Sequence, residues 1–296
     1  MSSNHFIHAM LSHRGRVRQA NEDTCAAEPE VGAYVVCDGM GGAAAGEIAS
    51  RVAADTFLGH LVSERQERVE RAAGNKGALL QASKPQARLQ AAIQAANQAV
   101  YRQSIEKPGL SGMGTTMVAL LHDPITSVSN VQGATARRSK ANHLNSRVSD
   151  PPTLWLAHVG DSRCYRQRKG QLEQLTQDHS LVEEQVRAGQ ITAAEAARSP
   201  MRNLITRAIG AQATVEIETQ SHRPQENDLY LLASDGLTHE LRDEEIANIL
   251  EHIPVPRARP RLMSACEALI TAANRNGGHD NITVLLVGVT SQLRTR

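Results

Sequence analysis

Carboxylates recur in four short clusters of this chain: Asn21-Glu22-Asp23, Asp38-Gly39-Met40-Gly41-Gly42, Ser234-Asp235-Gly236 and Gly278-His279-Asp280-Asn281. Three of the four adjoin apolar runs of strand length, with Ala33–Cys37 before Asp38, Leu229–Ala233 before Asp235 and Ile282–Val289 after Asp280. Carboxylates placed repeatedly at strand ends can gather hard oxygen ligands around divalent cations, and an oxygen-only donor set selects Mg2+ or Mn2+ over zinc. No His/Cys cluster with zinc spacing competes with that reading. An aspartate leaving a strand at a glycine, as Asp38 does, can aim its carboxylate at a cation while Gly39, lacking Cβ, lends its carbonyl. Asp235, Asp280, Glu22 and Asp23 supply further oxygens. Carboxylates crowded in this way repel one another without cations. Two ions sharing one oxygen of Asp38 would neutralise them, and a water bridging the ions would be acidic enough to serve as hydroxide near neutral pH. Such a centre hydrolyses phosphate esters by in-line attack. Arg18, four residues before Glu22, offers a planar fork for the phosphate oxygens.

The elements that must position these residues are legible as apolar runs. Ala33–Cys37, Thr115–Leu121, Leu154–Val159, Leu229–Ala233 and Ile282–Val289 predict strands. Ala44–Val62, Ala87–Ile105, His179–Ala188, Asp243–His252 and Pro260–Arg275 predict helices, the last starting at a proline and stopping before Gly277-Gly278. This order is α+β, with an antiparallel sheet and helices packed outside. No internal repeat is present, and one domain over residues 1–296 is the simplest division. Ser127 to Pro152 is rich in Ser, Asn, Arg and Gly and predicts a disordered insertion, 127–152, between neighbouring strands. Gly74 to Pro85 predicts a loose connector between two helices.

Composition narrows the class. The chain has 296 residues, and 32 Lys and Arg against 31 Asp and Glu leave no field that favours nucleic acid or an anionic membrane. Aromatic residues make up only 2%, so the core must rest on Ala, Leu, Ile and Val. Four cysteines without a CxxC pair fit reduced thiols in the cytoplasm, with Cys37 in the core of its strand. The first ten residues lack the pattern of a secretory leader, and no 18-residue apolar stretch predicts a membrane helix.

The motifs resemble those of the bacterial type-2C serine/threonine protein phosphatases, the metal-dependent PPM family. The resemblance rests on Gly15 to Asp23, Val36 to Gly42, Gly112-Met113-Gly114-Thr115-Thr116, Ala157 to Arg163, Asn203 to Gly210, Leu232 to Leu237 and Gly278 to Thr283, seven segments in the family's order. It implies an αββα sandwich of two antiparallel β-sheets flanked by helix pairs. It further implies that Asp38 bridges two Mn2+ or Mg2+ ions, that Asp235 and Asp280 complete the first site, and that Glu22 and the Gly39 carbonyl hold the second. Asp23 and Asn281 would orient metal-bound waters, Arg18 would clamp the substrate phosphate, and Asp161 would join Asp235 at a third, weaker metal site. The stretch 178–202 resembles the family's flap, which contributes to substrate choice. Met40 stands where animal members carry a histidine proposed as general acid, and Ala43 where many bacterial members have one, so no acid is assigned. His158 and His279 read as structural histidines.

The function so implied is hydrolysis of phosphoserine and phosphothreonine in protein substrates, opposing a cognate Ser/Thr kinase, by a cytoplasmic monomer. Two alternatives stay open on the sequence: a catalytically weak member acting as a regulatory binding module, and a two-metal phosphoesterase for nucleotides or small phosphates.

Overall fold

A computed structural model describes residues 4–41, 44–74, 84–122, 153–196, 198–254 and 258–291. The insertion expected at 127–152, and most of the connector expected between Gly74 and Pro85, lie outside them.

Twelve strands and seven α-helices are present among the described residues. The strands are β1 (Asn4–His13), β2 (Thr24–Glu28), β3 (Ala33–Cys37), β4 (Gly39–Met40), β5 (Gly114–Thr115), β6 (Met117–His122), β7 (Leu154–Val159), β8 (Arg163–Arg168), β9 (Gln171–Gln174), β10 (Glu218–His222), β11 (Leu229–Ala233) and β12 (Ile282–Ser291). The helices are α1 (Ala44–Gly74), α2 (Pro85–Glu106), α3 (Leu181–Arg187), α4 (Ala193–Ala196), α5 (Asp235–Thr238), α6 (Asp243–Glu251) and α7 (Arg259–Asn276).

Two five-stranded sheets form, ordered β1-β12-β11-β8-β9 and β10-β7-β6-β3-β2, with every pairing antiparallel. Period-two alternation explains how they stack. Tyr34 and Val36 of β3 meet Tyr230 and Leu232 of β11 and Leu285, Val287 and Val289 of β12 in a core between the sheets. The opposite face of β3, Ala33, Val35 and Cys37, packs under α1 and α2 against Ala49, Ala53, Phe57, Leu89 and Ile93. The opposite face of β11 and β12, through Leu229, Leu231, Val284 and Leu286, packs under α6 and α7 against Ile246, Leu262, Cys266 and Leu269. The result is the expected helix–sheet–sheet–helix layering.

Among the elements expected from the sequence, two differ by more than one or two residues at an end. The run Thr115–Leu121 is divided between β5 and β6, because Thr115 pairs with Gly39 of β4 whereas Val118 pairs with Val36 of β3. The Thr116 peptide at the junction donates to the Asp38 carbonyl at 2.9 Å. Helix α1 also runs on to Gly74 rather than ending near Val62.

Candidate metal centre and its comparison with known proteins

Antiparallel register brings the four carboxylate clusters to one end of the sandwich. The C-terminal end of β3 lies beside the N-terminal end of β2, with Cys37 opposite Thr24, so Asp38 adjoins Asp23. In the other sheet Ala233, Val284 and Arg163 lie across neighbouring strands, which places Asp235, Asp280 and Asp161 at that same end.

Each carboxylate is held in place by backbone and hydroxyl contacts. Asp38 leaves β3 with its N–H donated to Thr116 Oγ1 at 3.0 Å, and its carbonyl accepts from Thr115 Oγ1 at 2.8 Å. Thr116 Oγ1 is in turn 2.6 Å from Ser162 Oγ, next to Asp161. Asp23 is buried, and its Oδ2 accepts from Ser234 Oγ at 2.8 Å. Glu22 lies over Gly46 of α1, where a Cβ would fall 1.8 Å from Glu22 Oε2. Gly39 is equally crowded, since a Cβ there would sit 2.2 Å from the Gly46 carbonyl. Arg18 donates to Asp280 Oδ2 at 2.7 Å while more than half of its side chain stays exposed.

Asn281 is tied to the backbone of the loop before β2. Its Nδ2 donates to the Arg14 and Ala20 carbonyls at 3.0 and 2.9 Å, and its Oδ1 accepts from the Glu22 N–H at 2.8 Å. Both amide protons are occupied by backbone, so this side chain fixes the loop that carries Arg18 and Glu22.

The electrostatics of the cluster are unfavourable as it stands. Burial, then the charges of Asp235 and Asp280, against hydrogen bonds from Thr283 and Ser234, pushes the Asp23 carboxyl up to about 7. Burial, then Asp235 and Asp178, pushes Asp161 to about 8. Burial, then Asp23, Asp235 and Asp161, holds Asp38 well above the usual carboxylate range. Burial also raises Glu22 and Asp235, against the neighbouring Arg18 and His239 respectively. Asp23 Oδ1, Asp161 Oδ1 and Asp235 Oδ1 are buried without any hydrogen-bond partner. Buried acceptors are normally satisfied, so a set of unpartnered oxygens on mutually repelling carboxylates fits hard divalent cations well.

Sequence reasoning gave no role to Gly46, Ser162 and Ser234. A signal existed for Gly46, a glycine in the first turn of an alanine-rich helix, where it weakens the helix and so marks a close approach. His158 and His279 accord with structural roles: His158 Nε2 lies 2.8 Å from the Gln177 carbonyl, and His279 Nδ1 lies 2.7 Å from Glu240 Oε1.

The chain matches the family model for protein phosphatase 2C over residues 12–269. It is 35% identical over 280 residues to the serine/threonine phosphatase stp of Listeria monocytogenes, covering 93% of this chain and 92% of that one. It is 36% identical over 282 residues to the serine/threonine protein phosphatase PstP of Mycobacterium tuberculosis, covering 95% of this chain and 45% of that longer protein. Among solved structures, the Mycobacterium tuberculosis phosphatase PstP/Ppp superposes with a TM-score of 0.72 at 33% identity, covering 96% of this chain and 99% of that one. The catalytic domain of PstP in complex with two manganese ions gives a TM-score of 0.71 at 32% identity, over 97% of this chain and all of that one. This chain belongs to the protein phosphatase 2C family.

Proposed function

We propose that Asp38, the Gly39 carbonyl, Glu22, Asp235 and Asp280 hold the two divalent cations of a phosphatase centre, that Asp161 contributes to a third, weaker site, and that Arg18 clamps the substrate phosphate. The chain is a metal-dependent serine/threonine protein phosphatase that acts on phosphoproteins. Its relatives carry serine/threonine phosphatase names, and one structural neighbour holds two manganese ions. The observation that carries the residue assignment is the buried, unpartnered Asp235 Oδ1 and Asp161 Oδ1 beside Asp38, whose carboxyl is raised by burial and by these acidic neighbours.

Divalent cations supply positive charge that polarises the phosphoryl group and acidifies a water for attack. The chain's own residues arrange everything else. Thr115, Thr116 and Ser162 fix Asp38 at its backbone, Ser234 orients Asp23, and Asn281 fixes the loop bearing Arg18 and Glu22. Arg18 rests on Asp280 at 2.7 Å. With Asp280 engaged in ligation, its largely exposed guanidinium is free to turn its fork onto phosphate oxygens.

The segment 178–202 includes α3 and α4 and ends near exposed Met201 and Leu204. We assign it to substrate choice beside the centre. A cognate kinase whose products this enzyme reverses, a monomeric state and a cytoplasmic location complete the proposal. The four unpaired cysteines suit a reducing compartment, and no helix among the described residues is long and apolar enough to cross a membrane.

The test is hydrolysis of a phosphothreonine peptide against a nucleoside monophosphate, each with Mn2+ and with EDTA. Metal-dependent turnover of the peptide with little of the nucleotide is expected. Preference for the nucleotide favours the small-phosphate reading, and a folded protein inert at every Mn2+ concentration favours the regulatory-module reading.

A further inference from the structure

A second cluster of chemistry-bearing side chains lies beside the acidic one. Ligand atoms of His158, His179 and Glu218 lie within 4.8 Å of one another. Two imidazoles and a carboxylate gathered that closely are a natural transition-metal site. The hydrogen bonds argue otherwise. His179 Nδ1 accepts the buried Gly160 N–H at 3.1 Å, so its lone pair is occupied and the ring proton sits on Nε2. Nε2 faces Glu218 Oε1 at 3.3 Å, and Arg207 Nη1 lies 3.4 Å away. Ligation through Nε2 would move the ring proton to Nδ1, breaking the Gly160 hydrogen bond, and would set a cation against the Arg207 guanidinium. The cluster is a hydrogen-bonded brace.

The brace leads to the acidic centre. Gly160 has φ +103°, and a Cβ there would sit 2.7 Å from Thr116 Cγ2, so the turn is tightly confined. It continues directly into buried Asp161 and Ser162, and Ser162 Oγ meets Thr116 Oγ1, the acceptor of the Asp38 N–H. His179 grips this turn twice, through its ring and through its own N–H, which donates to the Gly160 carbonyl at 3.1 Å. The other side of the same residue holds the α3–α4 segment. The His179 carbonyl accepts from Thr206 N–H at 2.8 Å, Ser180 bridges Ile205, and Leu181 N–H donates to the Leu204 carbonyl at 2.9 Å. Both ends of the 180–205 segment therefore close on one residue. His158 stacks on the His179 ring with centroids 4.6 Å apart and fixes its plane.

We propose that His179 is a positioning residue that holds Asp161 in place through the Gly160 peptide and ties the 180–205 segment to the acidic centre. Burial, then neighbouring His158 and Arg207, lowers the ring's pKa to about 4, which keeps it a neutral acceptor at working pH. The consequence for turnover rests on the phosphatase reading, whereas the structural readouts below do not, so the two fail separately.

The test compares metal-free wild type with His179→Phe, which keeps the stacking face and removes the acceptor, and with His179→Asn, whose Oδ1 can replace Nδ1. Amide hydrogen exchange at Gly160 to Ser162 and across 180–205 should accelerate by about tenfold or more in His179→Phe and return towards wild type in His179→Asn. In the Mn2+-loaded enzyme, kcat for a phosphothreonine peptide should fall by roughly tenfold in His179→Phe with KM little changed, and recover in His179→Asn. Unchanged exchange at Gly160 in folded His179→Phe overturns the proposal. If His179→Phe fails to fold, 15N spectra of the wild-type imidazole decide it: an Nε2-protonated tautomer supports the assignment, and an Nδ1-protonated one overturns it.

Discussion

Two neighbouring clusters at this end of the sandwich contain the residue types that hold metals, and they differ in how their polar atoms are satisfied. In the brace, His179 has a partner for each ring nitrogen, and Arg207 and Glu218 balance charge around it. In the acidic centre, three carboxylate oxygens are buried without partners, and burial with mutual repulsion raises Asp23, Asp38 and Asp161. A set of ligand types close in space is therefore weaker evidence for a cation than unpartnered acceptors bearing uncompensated charge. The brace is complete as a protein; the acidic centre becomes complete with cations.

That contrast is sharpest at Asp38. Asp38→Asn should lower turnover of a phosphothreonine peptide by about a thousandfold or more, since it removes the shared ligand. The metal-free variant should melt no lower than wild type, because a neutral amide replaces a carboxyl whose ionisation is opposed by burial and by Asp23, Asp235 and Asp161. A large loss of stability would mean that the charge at Asp38 supports the fold and would break the comparison.

Gly46→Ala acts on the same centre from behind. Its methyl would displace the Glu22 carboxylate, and Mn2+ affinity should fall by about 10- to 100-fold in a calorimetric titration. Arg18→Ala should raise KM for the peptide by roughly tenfold while kcat changes less, since Arg18 is assigned to the phosphate rather than to the reacting water.

The pH dependence of melting separates the two clusters. An acid whose pKa is raised by folding contributes stability at low pH that is lost as pH rises through its folded value. Asp23 at about 7 and Asp161 at about 8 thus make the metal-free protein more stable as pH falls from 8 to 6.5, by about 2–4 °C in Tm. Below 6.5 the gain is only partly offset, because His179 at about 4 stays neutral when folded and takes up a proton when unfolded, one proton against the two carried by Asp23 and Asp161. Saturating Mn2+ should reverse the slope between pH 8 and 6.5, since protons then compete with the ions. The smallest effect belongs to the brace: His158→Phe preserves the stack and should leave Mn2+ stoichiometry and affinity unchanged, with about 1 kcal/mol of stability lost with the Gln177 hydrogen bond.

The sequence made the interior of the fold easy to read and its margins hard. Strands β3, β6, β7, β11 and β12 were legible because burial on both faces makes them continuous apolar runs. The edge strands β1, β2, β9 and β10 were not, because their apolar residues are few or interrupted, as in Glu218-Thr219-Gln220-Ser221-His222 and in β1, where His8 divides Phe6-Ile7 from Ala9-Met10-Leu11. Strand β8 is central, yet Arg163, Arg166 and Arg168 hide its buried Cys164 and Tyr165. At the centre, Asp38, Asp235 and Asp280 stood out because each lies at the end of an apolar run and near a glycine, and Glu22 and Asp23 because they are paired in one short cluster. What escaped is the support: Gly46, Ser162 and Ser234 become meaningful only when long-range register brings them against Glu22, Thr116 and Asp23. His179 escaped for the same reason, since its partner Gly160 lies across the α3–α4 segment's base.

The most direct test of the central claim is calorimetric titration of Mn2+ into metal-free protein at pH 7 in buffers of different ionisation enthalpy. If Asp38, Asp235 and Glu22, whose carboxyls burial raises, hold the cations, binding of at least two ions must release protons, and Asp38→Asn must abolish the tight step. Binding without proton release, or binding that Asp38→Asn leaves intact, would contradict the account.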